Sequence, residues 1–240
     1  MKKAIIVGGT SGIGYGVAKM LVANNYKVIA TGVRKDKVTK LQLLNQKNIT
    51  IKHLDCLTEG PSEEIRKFVE ILGGLDLLIF SAGIGNLNKD LGYEVENNAN
   101  KVNVLAFTEI ANWSYKFFEN QSHGHFVAIT SISGLIGYRE APAYHAAKAY
   151  QINYLEGLKQ RAYKARKKKQ LIYVTDIRPG FVKTRMTKGK KTFWLASQEE
   201  AANQIFQLMK KKKTCGYITG RWKIVALLIK LLPTWLRTRL

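Results

Sequence analysis

Ala4-Ile5-Ile6-Val7-Gly8-Gly9-Thr10-Ser11-Gly12-Ile13-Gly14 decides the fold. A short apolar run stops at paired glycines, and a helical stretch, Ile13–Asn24, follows. The spacing is G-x-x-x-G-x-G, at Gly8, Gly12 and Gly14. A strand-to-helix turn over a pyrophosphate needs a tight bend, a close backbone approach and close packing of helix on sheet, and glycine serves each because it has no Cβ. The helix N-terminus then offers free N–H groups and partial positive charge to the phosphates. Thr10, Ser11 and Ile13 line the same turn. Glycine clusters alone are weak evidence, but here the strand stands before and the helix after.

The pattern continues outward. Strands are expected at Ala4–Val7, Lys27–Thr31, Ile49–Leu54, Leu75–Phe80, His125–Thr130 and Leu171–Ile177. They are rich in Val, Ile and Leu, as strands buried on both faces are. Helical stretches alternate with them at Ile13–Asn24, Lys35–Gln46, Ser62–Leu72, Glu94–Glu119 and Ala143–Lys168. That alternation implies βαβ units: an α/β fold of Rossmann type, with a doubly wound parallel sheet. One domain over residues 1–205 and a basic, apolar tail over 206–240 account for the chain.

Composition sets limits. The 240 residues are 46% hydrophobic and 23% charged, which excludes global disorder and a disulfide scaffold. The net charge is +22. Such an excess bears on partners and surfaces rather than on fold. Met1-Lys2-Lys3 leads into an apolar run too short for a signal-peptide core, and Cys56 and Cys215 match no metal-ligand spacing. The plain expectation is a cytoplasmic protein with free thiols and no metal. His123 and His125 read as a turn.

The end of the second strand bears on the cofactor. NAD binding usually places an acid there, whereas an Arg suits the 2′-phosphate of NADP. The sequence reads Thr31-Gly32-Val33-Arg34-Lys35, with Asp36 one step further on. Arg34 therefore favours NADP(H) over NAD(H), unless it simply belongs to the general basic excess.

Tyr144 and Lys148, four apart in a helical stretch, share one face. A nearby ammonium is expected to lower the tyrosine pKa towards a useful range for proton transfer. Ser131 follows the strand His125–Thr130, at the edge where doubly wound sheets bind ligands, and is placed to polarise a carbonyl oxygen. Alone, Y-x-x-x-K is a common helical accident.

Together these motifs resemble the short-chain dehydrogenase/reductase family over about residues 3 to 185. The glycine turn is similar to the family's T-G-x-x-x-G-x-G, with Val7 in place of Thr. Asp55, beside Cys56, stands where the family has an Asp near the adenine. Ser81-Ala82-Gly83 replaces the usual Asn-Ala-Gly. Asn103, Ser131, Tyr144 and Lys148 fill the four tetrad positions, and Pro179-Gly180-Phe181-Val182-Lys183-Thr184 resembles the P-G-x-V-x-T segment beside the nicotinamide. The resemblance implies hydride transfer between NADP(H) and a carbonyl or secondary alcohol, with Tyr144 as acid/base. It implies that Ser131 stabilises the oxygen and that Lys148 also holds the nicotinamide ribose. It implies that Asn103 steadies a helix kink and a water leading to Lys148. A dimer or tetramer through the long helices is also implied. A dinucleotide-binding protein without turnover is the competing class, and the complete tetrad argues against it.

The region after Thr184, Arg185 to Trp194, takes the place of the family's mobile substrate loop: its cations suit an anionic substrate, Met186, Phe193 and Trp194 suit an apolar small-molecule or lipid carbonyl substrate, and a solvated loop with neither role is the alternative. In the tail, Ile224–Leu232 is flanked by Trp222, Trp235, Lys223, Lys230, Arg237 and Arg239. It is too short to span a bilayer, which takes about 20 apolar residues. Two readings stay open. One is an interfacial helix holding the protein on the inner face of an anionic membrane. The other is packing on the domain or a partner subunit. No nucleic acid is expected, because Arg166–Lys169 and Lys210–Lys213 lack interleaved aromatics and read as solvated helix ends.

Overall fold

A computed structural model describes residues 1–33, 47–187 and 193–239. Seven parallel strands form one sheet in the order β3-β2-β1-β4-β5-β6-β7. They are β1 (Lys2–Val7), β2 (Tyr26–Gly32), β3 (Ile49–His53), β4 (Leu77–Phe80), β5 (His123–Ile129), β6 (Leu171–Pro179) and β7 (Cys215–Ile218). The order reverses between β1 and β4, where an open parallel sheet leaves a crevice beyond its strand ends. Register places Val7 beside Phe80, and Ile129 beside Ile177, so the carboxyl ends are level across the sheet.

Helices cover both faces. On one, α1 (Gly12–Ala23) buries Val17, Ala18 and Leu21 against β1 and β2, with α6 (Gln198–Lys210) alongside. On the other lie α2 (Pro61–Leu72), α4 (Phe107–Gln121) and α5 (Pro142–Lys167), around Phe80, Phe107, Phe118 and Phe126. Every side chain of β4 is buried, as a central parallel strand requires. The expected helix Lys35–Gln46 and the cofactor residue Arg34 lie outside the described residues.

Four expectations are corrected. The helix expected over Glu94–Glu119 is α3 (Tyr93–Asn100), then a π-helix over Lys101–Ala106, then α4. The domain boundary at residue 205 falls inside α6, and β7 beyond it is the edge strand of the same sheet. Among the described residues, α7 (Trp222–Leu231) and α8 (Thr234–Arg237) are the elements past that strand.

His123 and His125 are strand residues rather than a turn. His125 is buried, and burial is the main cause that pushes its pKa well down. Lys212 donates to its Nδ1 at 3.1 Å, so Nε2 carries the proton and donates to Thr175 at 2.8 Å. The basic runs are therefore not wholly solvated. Lys212 also stands over the Tyr173 ring, and Arg166 reaches the Ile172 carbonyl at 2.9 Å.

Candidate active site

The glycine turn is tight because the chain doubles back on itself. Gly8 has φ +80°, and a Cβ there would stand 2.6 Å from the Ala82 amide nitrogen. A Cβ on Gly14 would stand 2.2 Å from the Gly8 carbonyl oxygen. Ser81 donates its amide to Val7 O at 2.8 Å, tying the end of β4 to the start of the turn. Ser11 is extended and gives α1 no side-chain cap, and no acid stands in the first turn. The open, positive end of α1 thus faces the crevice without a resident anion. Thr10 is buried against Gly32, where a Cβ would stand 2.1 Å from its hydroxyl. Beside it the buried Thr31 Oγ1 has no partner among the described residues. A glycine-rich turn at an uncapped helix N-terminus fits a dinucleotide's pyrophosphate.

Asp55 and Cys56 follow β3. The Asp55 carboxylate accepts from the Leu57 amide at 2.9 Å, closing its own turn. Burial, aided by Asp55 and Glu109, pushes the Cys56 thiol up to about 12, so it is no nucleophile.

The proposed reacting groups converge across the crevice from the glycine turn. Ser131, in extended backbone after β5, starts a 3-10 turn at Ile132–Leu135 and accepts from the Ser133 amide at 3.0 Å. Its side chain lies close enough to the Tyr144 hydroxyl to favour the phenolate. Tyr144 rises from the first turns of α5, and its ring lies flat over Gly85, where a Cβ would stand 2.8 Å from the ring. Lys148 is buried one turn later, with its ammonium 5.8 Å from the centre of the Tyr144 ring.

The expected lowering of the Tyr144 pKa does not hold within the protein alone. Burial raises it and Ser131 offsets only part. Burial also brings Lys148 from its usual 10.5 down to about 8, against the pull of Asp176. The ammonium points at the Ile129 carbonyl (3.1 Å) and the Gln151 amide oxygen (2.9 Å) rather than at the phenol.

Asn103 sits in the π-helix and is fully buried. Its side chain accepts from the Ile84 amide (3.2 Å) and donates to the Ile84 carbonyl (2.7 Å), pinning the loop after β4. Gln151 joins Asn103 to Lys148 directly: its Nε2 donates to the Asn103 carbonyl at 2.8 Å and its Oε1 accepts from Lys148 Nζ at 2.9 Å. Gly83 is held between them: a Cβ there would stand 3.2 Å from Asn103 Oδ1 and 3.7 Å from Lys148 Nζ.

The strap Pro179–Thr184 closes the remaining side. Gly180 donates to Ile218 O at 2.8 Å, and Val182 bridges to Ala196. Thr184 comes back over the glycine turn, where a Cβ on Gly12 would meet its methyl at 3.4 Å. Trp222 lies so close under Gly180 that a Cβ there would stand 2.0 Å from the indole. Phe181, Phe193 and Trp194 pack around that indole with ring centres 5.3 to 5.8 Å away.

The model of the short chain dehydrogenase family matches residues 2–194. The chain belongs to the short-chain dehydrogenase family. An uncharacterized oxidoreductase of Staphylococcus haemolyticus is 31% identical over 188 residues, which cover 77% of this chain and 79% of that one. A second, from Staphylococcus aureus strain N315, is 31% identical over 190 residues, 78% and 80% of the two chains. In fold the chain is similar to ElxO with NADP bound, at TM-score 0.77 and 24% identity, over 90% of this chain and 96% of that one. It is also similar to a short-chain dehydrogenase from Streptomyces avermitilis, at TM-score 0.81 and 19% identity, over 95% and 91%. This short-chain dehydrogenase is thus an oxidoreductase by family.

Three residues at its site escaped the sequence reading. Gln151 had a signal: it lies seven residues after Tyr144 and three after Lys148, on one helix face. Gly85 had none, because a glycine after a strand has many uses. Trp222 reads as a tail residue until β7 turns the chain back beneath Gly180.

Proposed function

We propose that this chain is an NADP(H)-dependent reductase of ketones, or dehydrogenase of secondary alcohols, with an apolar substrate. The observation that carries the reading is the convergence of Ser131, Tyr144, Lys148 and Asn103 opposite an open helix N-terminus. The glycine turn, Thr10 and the strap at Pro179, Gly180, Val182 and Thr184 would hold the dinucleotide. Arg34 would hold its 2′-phosphate, and the NADP bound to ElxO supports that choice. When bound, the cofactor supplies or accepts the hydride.

The protein's own part is proton transfer and charge stabilisation. In reduction the Tyr144 hydroxyl gives its proton to the oxygen of the reacting carbonyl, and Ser131 donates a hydrogen bond to that oxygen. The Lys148 ammonium then stabilises the phenolate left on Tyr144. Alcohol oxidation runs the same transfers backwards. Phe181, Phe193 and Trp194 give an apolar wall beside the strap, suited to an apolar ketone. NADPH absorbance with a panel of ketones tests the reading. Turnover with aliphatic or aromatic ketones supports it, and no oxidation with any of them overturns it. An Arg34→Ala variant that keeps its affinity for NADPH overturns the cofactor assignment.

A second reading concerns where the enzyme works. On α7, Ile224, Leu227, Leu228 and Leu231 stand 58% to 72% exposed at helical spacing. Residues 221–239 contain five cations and no acid. That face is complementary to an anionic bilayer surface. No helix among the described residues is long and apolar enough to cross a membrane. α7 packs on the 3-10 turn after Ser131, so this helix neighbours the proposed site. Sedimentation with phosphatidylglycerol vesicles at low salt, lost in a Leu227→Glu/Leu231→Glu variant, supports this reading. Failure of the intact protein to sediment overturns it.

A further inference from the structure

Gln151 is fully buried and uses both ends of its amide. Oε1 accepts from Lys148 Nζ at 2.9 Å, and Nε2 donates to the Asn103 carbonyl at 2.8 Å. The opposite amide orientation would set an NH₂ against an ammonium and an oxygen against a carbonyl, so chemistry fixes the assignment. The Asn103 carbonyl is free to accept because the regular i→i−4 ladder is interrupted at the π-helix. The Phe107 amide bonds Val104 O rather than Asn103 O. A buried primary amide is costly unless both ends are paired, and here the pairing joins two elements of the reacting site.

We propose that Gln151 is a positioning residue: its amide clamps the Lys148 ammonium to the Asn103 main chain and so sets where that charge stands relative to Tyr144. The inference rests on the roles proposed above for Tyr144 and Lys148. The other groups facing the ammonium are Tyr144 on α5, the Ile129 carbonyl on β5 and the Asp176 carboxylate on β6. Asp176 is itself engaged by Arg178 at 2.7 Å and Lys159 at 3.6 Å, which leaves Gln151 as the nearest acceptor to Nζ. An amide takes up and releases no proton near neutral pH, so this contact holds the ammonium and does not relay a proton.

Two variants bracket the clamp. Gln151→Leu removes the acceptor at similar volume, and Gln151→Glu keeps an acceptor and adds charge. One readout needs no cofactor: the pH titration of the Lys148 Cε carbon by NMR, assigned by its loss in Lys148→Met. Gln151→Leu is expected to lower that titration by about one pH unit, and Gln151→Glu to raise it by about as much. The second readout is the pH profile of kcat for NADPH-dependent ketone reduction. Its limb should move in the same opposite directions, and kcat should fall about tenfold in Gln151→Leu with the ketone KM within about twofold. A packing defect would not shift the two variants in opposite directions. If both titrate as the parent does, or both shift the same way, the clamp is refuted. If Gln151→Leu does not fold by circular dichroism, Gln151→Asn replaces it with the same expected fall, because its shorter amide cannot span both partners. A parent protein that oxidises no NADPH refutes the proposed function, while the cofactor-free titration still judges the clamp.

Discussion

Lys148 should make the cofactor-free protein more stable as pH rises above neutrality. Burial places its folded pKa at about 8 against the usual 10.5. Between those values the unfolded chain binds the proton and the folded chain does not, so stability increases with pH. Below about pH 8 both states carry the charge, and the full cost of burying it is present. At about 1.36 kcal/mol per unit, the whole effect is on the order of 3 kcal/mol, of which about 2 kcal/mol accrues between pH 7 and about pH 9.5. Urea unfolding of the parent and Lys148→Met at both pH values isolates it, because the other titrations are common to the two proteins. Lys148→Met also leaves the Ile129 and Gln151 oxygens without their donor, a loss of about 1 to 3 kcal/mol that does not vary with pH. The difference between the two unfolding free energies should therefore move in favour of the parent by about 2 kcal/mol as pH rises, with unchanged m-values. Parallel curves would refute the claim that the ammonium is desolvated.

Gly85→Ala should reduce kcat far more than stability, because the added methyl meets the Tyr144 ring at 2.8 Å and shifts the phenol; unchanged kcat would contradict that packing. Trp222→Ala should cost about 3 to 5 kcal/mol in chemical denaturation, since a fully buried indole supports Gly180 and the aromatic wall. Cys56 should resist iodoacetamide in the native protein up to about pH 9 and react once it is unfolded, because its thiol is held up to about 12; native labelling would contradict that burial.

The half of the molecule that carries the glycine turn is plain in its residues because each element states its own chemistry. Ala4–Val7 can only be a buried strand, and Gly8, Gly12 and Gly14 stop it where a helix must begin. The last strand is different. Cys215-Gly216-Tyr217-Ile218 is four residues long, contains a glycine and follows a lysine run, so it reads as tail. Its helix partner α6 did leave a mark: Ser197 and Glu200 have capping-box spacing, and the Ser197 hydroxyl accepts from the Glu200 amide at 3.0 Å. The π-helix at Lys101–Ala106 leaves no such mark, because its sequence satisfies an ordinary helical period. In the site, Tyr144, Lys148 and Ser131 are legible from spacing. The electrostatics are not, because the balance of burial against hydrogen bonding at Tyr144 depends on neighbours far along the chain.

Tyr144→Phe tests the central claim most directly, because it deletes one oxygen and leaves the ring over Gly85. NADPH binding by fluorescence titration and ketone-dependent NADPH oxidation would be measured on the same preparation. The account predicts cofactor affinity within about threefold of the parent and a loss of at least about a thousandfold in kcat. Turnover within tenfold of the parent would contradict it.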